Sequence, residues 1–251
     1  YFEDIPEAVM LKGEDAKWFA DNASQIIFLG IKEGTVYYVA DISHLEKVDQ
    51  APLPKKSVFQ DLRRLATSID PEQAGYLAYA RALAHWNRTH LYCGRCGSLT
   101  ESRKSGHERI CTRIACARSH FPRTDPAVIM LVTHPNEDKC LLGNNKRFQG
   151  LRYSTIAGFV EPGESLEHAV AREVKEETGI EVSEIAYKAS QPWPFPASIM
   201  LGFMARGLST EITCVDEELI EAYWFGREEV QNMAKSLDIL FVMVLAYLKI
   251  T

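Results

Sequence analysis

The most chemically informative part of the sequence carries three closely spaced glutamates, Glu173, Glu176 and Glu177. Ser165 is suited to cap the start of a helix and Gly179 to end it, which predicts a helix of about thirteen residues that contains all three. The glutamates then lie on or beside one side of a single helix. Their arrangement predicts a site that binds a positively charged partner.

The predicted helix has one apolar face, and two of the glutamates lie within it. The apolar residues of this face span an arc of about 140° and are Leu166, Ala169, Val170 and Val174. Glu173 and Glu177 fall inside that arc, and Glu176 lies at its edge. The opposite face carries His168, Arg172 and Lys175. Three acidic groups thus face the predicted core and need compensation.

A divalent cation would compensate their charge. Two carboxylates about 4 Å apart repel each other by about 4 kcal/mol at an effective dielectric constant of about 20. Oxygen ligands without a nearby His or Cys favour Mg²⁺ or Mn²⁺, which bind diphosphate oxygens. We therefore expect a phosphoanhydride substrate. The alternative is a surface helix with ion pairs such as Arg172 to Glu176, which would leave Glu173 and Glu177 unexplained.

Four of the six cysteines are clustered and predict a structural zinc site. These four are Cys93, Cys96, Cys111 and Cys116. A segment this short cannot bury enough apolar surface to fold alone, whereas zinc binding supplies folding free energy directly. A disulfide pair and unrelated free thiols are the alternatives, and His107 or His120 could replace a cysteine. Cys140 and Cys214 stand alone and are expected to be small core residues.

A stiff segment of prolines and aromatic rings follows the acidic helix. It consists of Gln191, Pro192, Trp193, Pro194, Phe195, Pro196, Ala197 and Ser198. Prolines fix the backbone and leave flat aromatic faces exposed, which suits the stacking of a planar base or nicotinamide. Gln191 and Ser198 would orient the ligand. The alternative is a connection whose aromatic rings are buried in the core.

The element pattern predicts three parts: an N-terminal α+β domain at 1–90, a basic, loop-rich four-cysteine segment at 91–122, and a mixed α/β domain at 123–251. The predicted strands are 26–29, 36–39, 127–132, 139–142, 153–157, 184–189, 199–205 and 222–225. The predicted helices are 59–66, 73–86 and 166–178, followed by two more at the C-terminus.

Composition and charge exclude several classes of protein. The chain has 251 residues, of which 46% are hydrophobic, and a net charge of -6, so no overall positive field attracts nucleic acid or an anionic membrane. The longest apolar run, Leu237–Ile250, contains two charged residues and is shorter than the roughly 20 residues that span a bilayer. We expect no membrane segment and a cytoplasmic location by default, with a peroxisomal or organellar address as the alternative.

The spacing around the acidic helix resembles the Nudix box. Gly158 is followed after five residues by Glu164, and after seven more by the run from Arg172 to Gly179. The resemblance implies a Nudix fold, a mixed α/β sheet in an α/β/α sandwich. It also implies that Glu173, Glu176 and Glu177 bind the catalytic metals. Glu164 and Arg172 would then brace the loop against the helix, and Glu177 would orient or deprotonate the attacking water.

The Ser-Gln-Pro-Trp-Pro-Phe-Pro-x-Ser run and the upstream cysteines are similar to the NADH pyrophosphatase branch of that family. This resemblance implies aromatic substrate contacts at Phe121 and Phe159 and metal ligands at Glu218 and the Ala157 carbonyl. Glu217 and Glu221 compete with Glu218 for this role. The resemblance also implies a homodimer. The second cysteine pair departs from some relatives, because four residues rather than two separate its members.

The expected reaction is hydrolysis of the NAD(H) diphosphate to NMN(H) and AMP, with removal of NAD caps from RNA by the same chemistry. One alternative is that NAD-capped RNA is the main substrate, held by arginines around the cysteines. Others are ADP-ribose, NADPH, nucleotide sugars or coenzyme A. A catalytically inactive scaffold or a zinc-ribbon binding module would be a different class of protein, and the intact set of glutamates argues against both.

Overall fold

The computed structural model describes residues 6–48, 51–65, 68–147, 152–214 and 218–235. The chain divides into two compact units. The first comprises Tyr1–Thr124 with Trp193–Ala197, and the second comprises Asp125–Pro192 with Ser198–Thr251. The three-part division predicted from the sequence stays a prediction. The apolar run at Leu237–Ile250 lies outside the described residues.

The first unit combines a hairpin, three helices and a small sheet. Its elements are α1 (Glu14–Asp21), β1 (Gln25–Lys32), β2 (Thr35–Asp41), α2 (Leu62–Leu65), α3 (Pro71–Thr89), β3 (Thr100–Arg103), β4 (Glu108–Cys111) and β5 (Ser119–His120). Strands β1 and β2 pair antiparallel, and β3, β4 and β5 form a three-stranded antiparallel sheet. The cysteine segment is therefore more regular than the predicted loop-rich stretch.

A buried asparagine joins helix α3 to the cysteine segment. Asn87 is 1% exposed. Its Nδ2 donates to the carbonyls of Leu83 at 3.1 Å and Gly106 at 2.8 Å. Its Oδ1 accepts from Gln25 at 3.0 Å and from Arg109 at 3.3 Å. One side chain thus connects α3 with β1, β4 and Gly106, because three of its four hydrogen bonds lead to residues outside α3.

The second unit is built on a mixed sheet. Its elements are β6 (Asp125–Thr133), β7 (Lys139–Asn145), β8 (Ile156–Phe159), α4 (Leu166–Thr178), β9 (Val182–Trp193), β10 (Ser198–Gly207), β11 (Leu219–Gly226) and α5 (Arg227–Lys235). The strand order is β11-β7-β6-β10-β9, and β8 also pairs with β6. β10 is parallel to β6, whereas β7 and β8 are antiparallel to it.

Strand β6 supplies both faces of this sheet with core residues. Val128 and Met130 belong to the cluster that contains Val170 and Val174 of α4. Leu131 and its neighbour on the same face, Ile129, pack in a second cluster with Val230 of α5. Side chains alternate between the two faces of a strand, and both sets of β6 side chains pack in apolar clusters. The α/β/α arrangement implied by the family resemblance is confirmed.

Two predicted elements extend beyond the observed ones, and one helix was not predicted. Of 59–66, only Leu62–Leu65 is helical among the described residues, because the Asp61 carboxylate accepts from Arg63 N at 2.8 Å and so caps the helix there. The strand predicted at 153–157 is Ile156–Phe159, where its partner β6 runs alongside. Helix α1 begins after Gly13, which offers no side-chain cap and so gave no start signal.

We predict that Asn87→Ala destabilises the protein by about 1–3 kcal/mol, because it removes the buried hydrogen bonds to the Gly106 carbonyl and from Arg109 Nη1. Urea unfolding measures this loss. Tyr79→Phe on the same helix is the control, because it removes only a 3.5 Å contact between its exposed hydroxyl and His107, and it should unfold close to the wild type. Equal stability of all three proteins would show that Asn87 does not join these elements.

Candidate functional site

Helix α4 begins and ends where the sequence predicts. Ser165 Oγ accepts a hydrogen bond from the backbone nitrogen of His168 at 3.3 Å, and Gly179 ends the helix in the left-handed conformation at φ 72°. Glycine adopts that conformation at low cost. Ala169, Val170 and Val174 are buried, as the apolar face requires. The helix thus has a fixed rotation, which fixes where its glutamates point.

Arg172 binds acidic residues both of the loop that precedes α4 and of α4 itself. Its Nε and Nη2 donate to the two oxygens of Glu164 at 2.8 and 2.9 Å. Its Nη1 donates to Glu173 at 2.9 Å and to Glu176 at 3.0 Å. Nη2 also donates to the Phe159 carbonyl at 2.9 Å. Arg172 was predicted to lie on the wet face, but its side chain is only 23% exposed because these partners surround it.

Gly158 leaves the space that Glu173 occupies. A Cβ atom built on Gly158 would lie 1.9 Å from Glu173 Cδ and 2.1 Å from Glu173 Oε1. No side chain fits at this distance unless the carboxylate moves. The first glycine of the motif therefore sets the position of a predicted metal ligand, in addition to its place in strand β8.

Glu164 and Glu173 both bind Arg172, but their pKa values are shifted in opposite directions. The Arg172 guanidinium holds the pKa of Glu164 at about 2. Burial raises the pKa of Glu173, while its hydrogen bond to Arg172 lowers it and the charges of Glu176 and Glu218 raise it further. Burial, with the two neighbouring carboxylates, therefore outweighs the effect of Arg172 and disfavours the ionised form of Glu173. A cation at this place would favour the ionised carboxylate.

The remaining acidic candidates differ in their surroundings. Glu177 is 5% exposed and lies on the buried side of α4. Glu218 is half-exposed, 3.7 Å from Arg147, and its charge acts on Glu173. The two carboxylate oxygens of Glu221 instead accept from the hydroxyls of Tyr153 and Tyr223. These contacts favour Glu218 over Glu221 as the distal ligand, and Glu217 lies outside the described residues.

The predicted substrate contacts are distributed over both units. Ala157, Phe159, Gln191, Pro192 and Ser198 belong to the second unit, and Phe121 and Trp193–Ala197 to the first. The rings of Phe159 and Phe121 are 60% and 59% exposed. Lys104 Nζ lies 5.9 Å from the centroid of the Phe121 ring. Their roles in substrate binding stay predictions.

The proline-aromatic segment includes the turn between β9 and β10. The sequence predicts exposed aromatic faces, but in the structure other side chains lie against both rings. Trp193 and Phe195 meet edge to face, with centroids 5.1 Å apart. The guanidinium of Arg63 lies 5.4 Å from the Trp193 centroid, and that of Arg81 lies 4.9 Å from the Phe195 centroid. No local pattern predicted a contact with either arginine, because both are more than a hundred residues away along the chain.

The four clustered cysteines come together as a possible metal centre. The sulfur atoms of Cys93, Cys96, Cys111 and Cys116 all lie within 4.8 Å of one another, the only such group of His, Cys, Asp or Glu among the described residues. His120 Nε2 lies 3.3 Å from Cys93 Sγ. Backbone and side-chain hydrogen bonds from Ser98 lower the pKa of Cys96 to about 6, which favours the thiolate form that binds metals. Cys140 is buried in the core, as predicted.

Several basic residues near the cysteines already have protein partners. Arg109 is buried and donates to Thr100 Oγ1 at 2.8 Å. Arg103 pairs with Glu101, and Lys104 pairs with Glu108 at 2.9 Å. Three of the six basic side chains in this segment are therefore engaged, which reduces the charge that it could offer to RNA phosphates.

Two family models match the chain. The NUDIX domain matches residues 123–241, and the NADH pyrophosphatase-like rudimentary NUDIX domain matches residues 3–86. The crystal structure of a NUDIX hydrolase from Nitrosomonas europaea superposes with a TM-score of 0.52 and 26% identity, covering 63% of this chain and 88% of that chain. The fold and the acidic loop-helix motif thus agree with the family models.

Curated relatives extend the similarity over both units. The NAD-capped RNA hydrolase NudC of Stutzerimonas stutzeri (strain A1501) is 40% identical over 190 residues, 76% of this chain and 67% of that protein. The NAD-capped RNA hydrolase NUDT12 of Homo sapiens is 43% identical over 171 residues, 66% of this chain but only 37% of that protein. The chain belongs to the Nudix family.

Among its described residues, no helix is long and apolar enough to cross a membrane.

We predict that Gly158→Ala lowers catalytic efficiency by roughly a hundredfold or more, since its Cβ displaces the Glu173 carboxylate and misplacement by about 1 Å can have an effect of this size. Steady-state kinetics measures the loss. Gly75→Ala is the control, because a Cβ on Gly75 of α3 meets nothing within 4 Å. Wild-type activity of Gly158→Ala would show that Glu173 need not lie where the structure places it.

A second prediction concerns the Glu164–Arg172 pair. The pKa of Glu164 is about 2 in the folded protein and about 4.3 in an unfolded chain, so the pair stabilises the fold above pH 4.3 and less as the pH falls toward 2. Glu164→Gln should therefore be less stable than the wild type at pH 7, with the gap narrowing below pH 4.3. Urea unfolding at pH 7, 4 and 3 measures it.

The exposed Glu167 of the same helix provides the control for this experiment, because Glu167→Gln removes the same charge without breaking the pair. Its stability should follow that of the wild type at each pH. A gap for Glu164→Gln that stays constant from pH 7 to 3 would contradict the assignment.

Proposed function

We propose that this protein hydrolyses the diphosphate bond of NAD(H) to NMN(H) and AMP in a metal-dependent reaction, and that it removes NAD caps from RNA by the same chemistry. The observation that carries the proposal is the convergence of Glu164, Glu173 and Glu176 on Arg172, with Glu173 seated against Gly158. Family membership and the names of the two relatives support it. The inactive-scaffold alternative gains no support, because the acidic set is complete.

The catalytic metal would be Mg²⁺ or Mn²⁺, held by Glu173, Glu176, Glu177, Glu218 and the Ala157 carbonyl. The donors fit such an ion, because all are oxygen atoms and the pKa of Glu173 is raised by burial and by neighbouring carboxylates. When bound, the ion would lower the pKa of a coordinated water and neutralise charge on the leaving phosphate oxygens.

The side chains of the protein have separate roles in this proposal. Glu177, buried on α4, orients the attacking water and accepts its proton. Arg172 donates to Glu173 and Glu176 and directs both carboxylates to the same place. Glu164 occupies the other edge of the guanidinium, so that Arg172 cannot turn away from the helix. Hydrolysis then requires that this set remain fixed while the diphosphate binds.

The ends of the substrate would be recognised outside the acidic set. Phe159 and Phe121 would contact the flat rings of the dinucleotide, and the segment Gln191–Ser198 would provide the aromatic surface predicted from the sequence. Zn²⁺ bound by the four cysteines would have a structural role. A homodimer and a cytoplasmic location remain proposals of the same kind.

NAD-capped RNA as the main substrate is the second candidate, favoured by the names of the relatives and opposed by the engaged arginines near the cysteines. Cleavage of capped RNA should fall steeply as salt rises if the protein holds several RNA phosphates, whereas cleavage of the free dinucleotide should change little. A similar salt dependence of both would show that RNA phosphates add nothing to binding.

The proposed reaction predicts NMNH and AMP as the products of NADH with Mg²⁺ or Mn²⁺, separated by chromatography. Glu177→Gln should reduce the rate by roughly a hundredfold or more, because it removes the proposed base. Glu167→Gln, on the exposed side of the first turn, is the matched control and should keep wild-type activity. Absence of NMNH, or equal rates for Glu177→Gln and the wild type, would overturn the proposal.

The four-cysteine centre predicts one Zn²⁺ per chain, measured by metal analysis of the purified protein. Cys116→Ser should lose the metal and unfold at a lower temperature, because zinc binding supplies folding free energy to this segment. Cys214→Ser, outside the cluster, should keep the metal. Full zinc content in Cys116→Ser would rule out the four-cysteine site.

A further inference from the structure

A histidine lies against the four-cysteine cluster from outside. His120 Nε2 is 3.3 Å from Cys93 Sγ. The four sulfur atoms lie within 4.8 Å of one another, and among the residues that the structure describes no histidine nitrogen belongs to that group. His107, which the sequence also allows as a ligand, has its Nε2 at 2.6 Å from the Phe28 carbonyl oxygen. His120 therefore contacts the cluster through one sulfur and does not replace a cysteine.

The small sheet of the cysteine segment sets the position of His120. In the antiparallel register of β4 and β5, His120 lies opposite Arg109, which is itself buried. Two residues before His120, the Arg118 carbonyl accepts from the backbone nitrogen of Cys111 at 2.9 Å. Strand β5 is thus tied to the strand that carries one of the four cysteines. This pairing places the imidazole beside Cys93.

The sulfur that His120 contacts is the most deeply buried of those whose exposure is known. Cys93 is 2% exposed, and Cys111 is 4% exposed. The backbone nitrogens of Arg95 and Cys96 donate to the Cys93 sulfur. Four thiolates and one Zn²⁺ leave two net negative charges, which burial disfavours unless hydrogen-bond donors surround them. Cys93 therefore needs donors more than an exposed thiolate would.

The direction of the hydrogen bond follows from the chemistry of a bound thiolate. A sulfur that binds Zn²⁺ carries no proton, so the hydrogen in its contact with His120 must be on Nε2. His120 then supplies a third N–H donor to the Cys93 sulfur, and this donor belongs to a side chain. Hydrogen bonds to an ionised acceptor are stronger than those between neutral groups.

We propose that His120 donates its Nε2 proton in a hydrogen bond to the Cys93 thiolate and so strengthens the retention of zinc by the cluster. The inference rests on the proposed zinc site and adds a residue outside its four ligands. The hydrogen bond spreads the negative charge of the buried sulfur onto the imidazole. His120 is thus a positioning residue for the bound metal, as the partners of metal ligands commonly are.

Competition between the full-length chain and a zinc chelator tests this role. His120→Phe keeps a ring and removes the N–H, so the dissociation constant for zinc should rise by roughly 10- to 100-fold. His120→Gln keeps an N–H donor on a side chain of similar reach and should stay close to the wild type. His44→Phe makes the same exchange at an exposed position outside the cysteine segment and should bind zinc like the wild type.

Cobalt substitution gives a second readout, which a role in packing alone would not change. Co²⁺ bound by thiolates has a charge-transfer band from sulfur to metal, and a hydrogen bond to the sulfur raises the energy of this transition. His120→Phe should therefore shift the band to longer wavelength. His120→Gln and His44→Phe should keep it at the wild-type position.

Two results would overturn the inference. One is an unshifted cobalt band in His120→Phe, which would reduce any loss of affinity to a loss of packing. The other is a loss of zinc from His120→Gln as large as that from His120→Phe, which would show that the ring rather than its N–H is required. Failure of the zinc site itself is distinguishable, because the wild type would then bind no zinc and show no charge-transfer band with Co²⁺.

Discussion

Repulsion among carboxylates is the constraint around which the second unit is organised. Glu173 and Glu176 lie on one helix within reach of a single guanidinium, and Glu218 acts on Glu173 from the region of β11. Arg172 neutralises part of this charge and is itself held by both oxygens of Glu164. The remaining negative charge favours a bound cation, so an arrangement that would otherwise be costly is useful in a metal-dependent hydrolase.

The rest of the unit keeps that charged group in place. Strand β6 is apolar on both faces, so α4 packs against one face and α5 against the other. Strand β8, paired with β6, carries Gly158 beneath Glu173. Rigid packing of this kind matters for catalysis, because charged groups that are already oriented need no rearrangement when the reaction begins.

Local signals predicted the acidic helix better than they predicted the surrounding structure. Helix α4 has a capping serine, a terminal glycine and a clear apolar face, and its bounds were predicted correctly. Helix α1 has no side-chain cap, and α2 is only four residues long, so neither could be placed from short-range pattern. The arginines over Trp193 and Phe195 could not be predicted at all, because their contacts depend on the tertiary fold. Four cysteines in a short segment predicted a cluster, but the three-stranded sheet that brings them together forms by pairing between strands without a strong alternation of apolar residues.

The central claim is that the glutamates of α4 form a site for a divalent cation. Titration of the wild type and Glu173→Gln with Mn²⁺, followed by electron paramagnetic resonance of the free ion, tests it most directly. The claim predicts saturable binding to the wild type and affinity lower by roughly tenfold or more in the variant, as expected when a charged ligand is removed. Equal Mn²⁺ affinity in the two proteins would contradict it.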